Sequence, residues 1–223
     1  MRKTPFANGE IYHVYNRGVD KRTIVLDQED ADRFVQSLVE FNTEQAIGSL
    51  YQNSFRKKLL RGSTSKYSDE EKKNEKPVEV IAYCLNPNHF HFILRQVTER
   101  GIEKFMQRLG TGYTMYFNKK YERSGVLFQG AFKAIHVDTD AYLLQLSVYV
   151  NLNFRAHQYG KDFLPLIRSS FDEYLGKNVP QYCEKDVVLG QLRKAKEYQS
   201  FSEDALVGIL TRKQIEQDIF SED

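Results

Sequence analysis

Cysteine is scarce in this chain. Only Cys84 and Cys183 occur, far apart and in no CxxC pairing. That excludes a disulfide framework and a thiolate zinc site, and suggests reducing, cytoplasmic surroundings. Long apolar runs are missing too. The two longest charge-free stretches, residues 80–94 and 141–154, both contain Asn and fall short of the ~20 apolar residues that span a bilayer. Met1-Arg2-Lys3-Thr4-Pro5-Phe6 leads into no apolar segment, so neither a secretory signal nor a membrane partner is expected. A large charge of one sign is also lacking. Against 32 Lys and Arg stand 30 Asp and Glu, net +2, which excludes a histone-like polycation.

The 223 residues are 41% hydrophobic and 28% charged, which suits a soluble globular protein of one domain with an extension. The even balance hides a segregation. Residues 51–77 carry +4 and 95–136 carry +5, whereas 1–50 carry −2 and 161–223 carry −3. The basic middle also holds rings, among them Tyr113, Tyr116, Phe117, Tyr121, Phe128 and Phe132. Interleaved cations and flat rings suit single-stranded nucleic acid, whose phosphates pair with the former and whose bases stack on the latter. The same pattern also describes an amphipathic helix with core-facing rings and solvated lysines.

Residues 10–16 read as a strand closed by Arg17-Gly18. A helix follows from Asp27, with Phe34, Leu38 and Phe41 at helical spacing. Residues 51–77, with Gly62-Ser63-Thr64-Ser65 and a charge run, read as a flexible surface insertion. Two strands, Val78 to Leu85 and His89 to Gln96, flank an Asn86-Pro87-Asn88 turn. A helix spans Gly101 to Lys120, residues 126–137 are extended, and a helix opens at Thr139-Asp140 and runs to about Phe154. The order β-α-β-β-α-β predicts an α+β fold, a ferredoxin-like antiparallel sheet with helices on one face. Residues 1–160 would form this domain. Residues 161–223 would add a mainly helical extension, with helices near 171–175, 184–199, 203–209 and 211–220.

Asn88-His89-Phe90-His91-Phe92 concentrates the chemistry. Alternation on a strand puts His89 and His91 on one face and the phenylalanines on the other. Two imidazoles so placed can converge on one divalent cation, or can simply be satisfied strand residues. On the uncharged helix after Thr139, Tyr149 and Asn153 lie one turn apart on a shared face. Such a helix would ordinarily be buried, with Tyr149 in the core. A functional role would need an amide oxygen from Asn153 for a hard cation such as Mg²⁺ or Mn²⁺, and a nucleophilic phenol from Tyr149.

Tyr12-His13-Val14-Tyr15-Asn16-Arg17-Gly18, Pro87-Asn88-His89-Phe90-His91 and Tyr149-Val150-Asn151-Leu152-Asn153 occur in an order that resembles the single-tyrosine HUH transposases, and among them the REP-associated tyrosine transposases. Arg108-Leu109-Gly110-Thr111, Leu127-Phe128-Gln129-Gly130 and Tyr142-Leu143-Leu144 fit the same pattern, and the resemblance covers roughly residues 8–160. It implies a ferredoxin-like core in which His89, His91 and Asn153 ligate Mg²⁺ or Mn²⁺. Tyr149 would attack a phosphate of single-stranded or hairpin DNA, leaving a 5′-phosphotyrosine and a free 3′-hydroxyl. Relatives work as monomers or as homodimers, and both states stay open for this chain.

The chain departs from the pattern in Asn153-Phe154, where Asn-Pro is common, in Ala131, where a base is usual, and in the length of its 51–77 insertion. Lesser candidates for DNA contact are His13, which sits on a strand beside that of His89, and the cations Arg17, Arg108, Lys120, Arg123 and Lys133. Tyr142 is the alternative nucleophile. Two competing functions share the fold: a non-catalytic nucleic-acid-binding protein, and a metal-dependent hydrolase that activates water.

Overall fold

The computed structural model describes residues 5–45, 47–48, 50, 53, 76–157, 159–194 and 196–220, with side chains as far as 211. The expected insertion at 51–77 lies almost wholly outside the described residues.

Five strands form one antiparallel sheet in the order β4-β1-β3-β2-β5. They are β1 (Ile11–Arg17), β2 (Val78–Leu85), β3 (His89–Gln96), β4 (Lys133–Val137) and β5 (Arg168–Ser169). In β3, Phe90, Phe92 and Leu94 face one way and meet α1 (Gln28–Glu40) and α2 (Gly101–Lys120). Each is essentially withdrawn from water, and burying such a side chain contributes about 1.5–3 kcal/mol. The Phe34 ring of α1 lies 5.5 Å from Phe90 and 4.9 Å from Tyr113 of α2. α1 starts where expected because Asp27 accepts a hydrogen bond from the Asp30 amide at 2.9 Å. The helices approach closely at Gly112, where an added Cβ would stand 2.5 Å from the Phe41 ring.

The two ferredoxin-like helices thus share one face, and the other is covered as well. Ile81, Ala82, Cys84 and Ile93 pack there against Leu143, Leu146 and Val150 of α3 (Asp140–Asn151), which Thr139 caps. Apolar residues lie all round α3 because it is buried on both sides. Beyond it lie Phe171 and Tyr174 of a short helix (α5, Phe171–Tyr174), Val188 of another (α6, Asp186–Leu189) and Tyr198 of the last (α7, Glu197–Phe220).

Several boundaries differ from the sequence expectation. In residues 126–137 only Lys133–Val137 is strand, and Phe128 makes a lone bridge to Gly18. The helix expected to reach 154 stops at Asn151, and a turn at Leu152 leads into a second short helix, α4 (Asn153–Ala156). The expected helix 184–199 shrinks to Asp186–Leu189 before Gly190, while 203–209 and 211–220 merge into α7. The fifth strand comes from beyond residue 160, so the C-terminal segment completes the sheet. Among the described residues no helix is long and apolar enough to cross a membrane.

Candidate active site

The site is built on the face of β3 opposite the phenylalanines. In the β1–β3 ladder Tyr15 stands opposite His91 and Arg17 opposite His89, while Cys84 of β2 flanks His91 on its other side. α3 brings Tyr149 over these strands. Its ring meets that of His91 edge-on at 5.6 Å and that of His13 at 6.1 Å. The turn at Leu152 (φ −106°, ψ 14°) then re-aims the chain, and Asn153, 1% exposed, points its amide at His89. Tyr149 and Asn153 of one chain therefore reach the two histidines of the same chain.

The hydrogen bonds fix which atoms carry protons. Asn88 Nδ2 donates to the Lys21 carbonyl, which leaves Asn88 Oδ1 as an acceptor 2.7 Å from His89 Nδ1. Nδ1 must then hold the proton, and His89 Nε2 presents a lone pair. That lone pair faces Asn153 Oδ1, also an acceptor, at 3.0 Å. Asn86 Nδ2 donates to both, at 3.0 Å and 2.8 Å. Two acceptors gathered by one donor, with the second imidazole nitrogen tied to an outer oxygen, match the arrangement of a metal-ligating histidine and its supporting partner, with the Asn86 amide standing where a cation would. His91 is held by a second imidazole. Its Nδ1 lies 2.8 Å from His13 Nε2, and among the described residues no hydrogen bond reaches the His91 Nε2.

Burial sets the protonation states. It lowers His13 from an ordinary 6.5 to about 4. It also lowers His91 well below 6.5, with His13, His89 and His157 adding to the effect. Both imidazoles are therefore neutral at pH 7, as ligand and support must be. Burial raises the Tyr149 phenol above its ordinary range, and the nearby Asn153 amide opposes part of that rise. Asn153 Nδ2 is buried without a hydrogen bond of ordinary geometry among the described residues. Among the described residues no group of three His, Cys, Asp or Glu could hold a metal; here the third donor is an amide oxygen.

The histidines and Tyr149 open on a cleft of about 510 Å³. Arg17, Lys21 and Lys133 line it, and among the described residues no carboxylate does. Arg17 donates to Gln129 on the rim. Arg108, Lys120 and Arg123 do not line the cleft, because other partners hold them. Arg108 donates to the Thr43 and Glu44 carbonyls. Lys120 is surrounded by Asp27, Glu29 and the fully buried Asp30, and Arg123 donates to Asn118 and to the Val126 carbonyl. On α2 the rings Phe105, Tyr113 and Phe117 are core. The basic, aromatic span is thus largely architectural. His13, 6% exposed, supports His91 from behind rather than facing the cleft. Tyr142 is half-exposed and does not line the cleft.

Residues 49–153 match the family model described as Transposase IS200 like. His89, His91, Tyr149 and Asn153 all fall within the matched stretch. Over that stretch, a little under half of its length, the chain is similar to the IS200-like transposases. This likeness agrees with the family resemblance carried by the motifs, and it reaches the chain independently of the geometry above. A solved structure of a REP-associated tyrosine transposase bound to a REP hairpin is similar to this chain at a TM-score of 0.48 and 12% identity, over 82% of this chain and 88% of that one. No curated protein matches the chain.

Sequence reasoning missed several members of this site. Asn86 and Asn88 were legible only as turn residues, yet they orient Asn153 and His89. His157, whose ring lies 4.6 Å from that of His89, and Tyr159 also line the cleft. The four-residue spacing from Asn153 to His157 was the signal available for the former.

Proposed function

We propose that this chain nicks single-stranded DNA, on hairpin or palindromic repeat substrates, and joins strands through a 5′-phosphotyrosine on Tyr149. The observation that supports this reading is the meeting of His89, His91, Asn153 and Tyr149, from two distant segments, in one cationic cleft. His89, His91 and Asn153 fit a divalent ion, Mg²⁺ or Mn²⁺, by their paired lone pairs and supporting contacts. When bound, the ion supplies positive charge at a phosphate oxygen and neutralises what develops there during displacement.

The chain's own residues supply the remainder. Arg17, Lys21 and Lys133 attract backbone phosphates into a cleft that, among the described residues, holds no competing carboxylate. Asn88 holds His89 in the tautomer that directs its Nε2 lone pair inward, and His13 fixes the position of the His91 ring. Tyr149 Oη attacks phosphorus, the bond from phosphorus to the 3′-oxygen breaks, and the phenol proton ends on the freed 3′-hydroxyl. Burial keeps the phenol protonated beforehand, so the proton leaves as the new bond forms. The diester energy is stored in the tyrosyl link, and attack by another 3′-hydroxyl completes strand transfer. All four residues come from one chain, so the reading needs no second copy.

The test is a denaturing gel of labelled hairpin DNA with unpaired flanks, incubated with Mn²⁺. The reading expects a protein–DNA adduct in the natural protein and none in Tyr149→Phe, which still binds DNA. Cleaved strand with no adduct would favour water activation instead. A blank gel across hairpin substrates would favour a non-catalytic binding protein.

A further inference from the structure

A row of rings leads from the histidines to the protein surface. The His157 ring lies 4.6 Å from His89, Tyr159 lies 5.7 Å from His157 and only 27° from parallel, and Phe163 follows at 5.9 Å. These residues are not hidden in the core. His157 is exposed, Tyr159 is half-buried, and Phe163 is 42% exposed. The Tyr159 hydroxyl comes within 3.4 Å of Asn88 Oδ1, the oxygen that faces His89, so the row borders the site. Arg17, Lys21 and Lys133 line the cleft that His157 and Tyr159 also line, and among the described residues no carboxylate does; Phe163 lies just beyond it.

Exposed rings in series beside a cationic, carboxylate-free wall match a particular ligand. Phosphates pair with the cations while flat bases stack on the rings, and stacking tolerates any base because each has a π-face. A paired duplex hides those faces, so the chemistry selects unpaired strand. We infer that His157, Tyr159 and Phe163 form a stacking track for the unpaired nucleotides that flank the scissile phosphate. This rests on the reading of the cleft as a DNA-nicking site, and it names which part of the substrate the site grips and with what.

The probe is a single-stranded dT oligonucleotide carrying one 2-aminopurine, compared with a blunt duplex of equal length. Binding is followed by anisotropy, and stacking by quenching of the 2-aminopurine. The natural protein is expected to prefer the single strand and to quench the probe. Tyr159→Ala and Phe163→Ala should each weaken single-strand binding by roughly five- to a hundredfold and reduce quenching, with duplex binding unaltered. Tyr159→Phe keeps the ring and should retain both signals. Phe163 is too exposed for its truncation to unfold the protein, so its variant stands on its own. Unchanged single-strand affinity in both alanine variants would overturn the inference. So would a Tyr159→Phe defect as deep as that of Tyr159→Ala, which would place the effect in the hydroxyl. The adduct gel separates this from failure of the nicking reading: an intact adduct with unaltered single-strand binding in the alanine variants sinks the track alone. Ring-dependent quenching without any adduct sustains the track and sinks the nicking reading.

Discussion

Replacing Asn88 by Ala isolates the contact that fixes the His89 tautomer. In the natural protein Asn88 Oδ1 lies 2.7 Å from His89 Nδ1 and favours the form whose Nε2 lone pair faces Asn153. Without that oxygen the imidazole is free to place its proton on Nε2, where it would donate to Asn153 Oδ1 and block cation binding. A hydrogen bond of this kind contributes about 0.5–1.5 kcal/mol net. Supporting contacts of metal-binding histidines typically govern about 10- to 100-fold in metal affinity. Half-saturation by Mn²⁺, followed by the loss of the free-ion paramagnetic resonance signal, should therefore rise about tenfold or more. Asn88 is only partly buried, so thermal stability in EDTA should change by no more than about 1 kcal/mol. Equal Mn²⁺ affinity in the two proteins would refute the tautomer argument. A large loss of stability in EDTA would show that Asn88 acts on the fold instead.

Other outcomes follow from the same contacts. Tyr198, fully buried, shares hydrogen bonds with Ser147 and Asn151 of α3, each at 2.9 Å. Tyr198→Phe leaves both without that partner and should cost about 1–3 kcal/mol, seen as a Tm lower by roughly 2–12 °C. Lys120→Met removes the cation beside buried Asp30 and should cost about 3 kcal/mol in urea unfolding, while single-strand affinity of the folded protein stays put. Metal-free protein should lose stability as pH falls from 6.5 toward 4. In that window the unfolded chain binds a proton at His13 that the folded chain, with its value lowered to about 4, refuses. His91 acts in the same direction, and His13→Gln should flatten the slope of unfolding free energy against pH.

Much of this architecture could be read from the residues, and the exceptions have physical causes. The alternation His89-Phe90-His91-Phe92 on a strand and the one-turn spacing of Tyr149 and Asn153 are local patterns, and the structure brings these side chains to one place. The break at Leu152 was not legible, because nothing in Tyr149-Val150-Asn151-Leu152-Asn153 forbids a continuous helix. Hydrogen bonds from Ser169 Oγ to the Asn151 carbonyl and from Ser170 Oγ to Asn151 Oδ1 hold the helix end from outside. Charge was the poorest guide. Arg108 and Lys120 look alike in sequence to Arg17 and Lys133, but their partners, Thr43 and Asp27 to Asp30, lie more than sixty residues away and are found only by folding. The acidic C-terminal segment read as an appendage, yet Tyr174 and Tyr198 fill the second core and clamp the helix that carries Tyr149.

The central claim is that Tyr149 is the residue that takes the DNA. Peptide mapping of the Mn²⁺-dependent adduct by mass spectrometry tests it most directly. The account predicts a nucleotide mass joined through a 5′-phosphate to Tyr149 and to no other tyrosine. A nucleotide found on Tyr142 or Tyr15 instead, or DNA cleaved with every tyrosine unmodified, would contradict it.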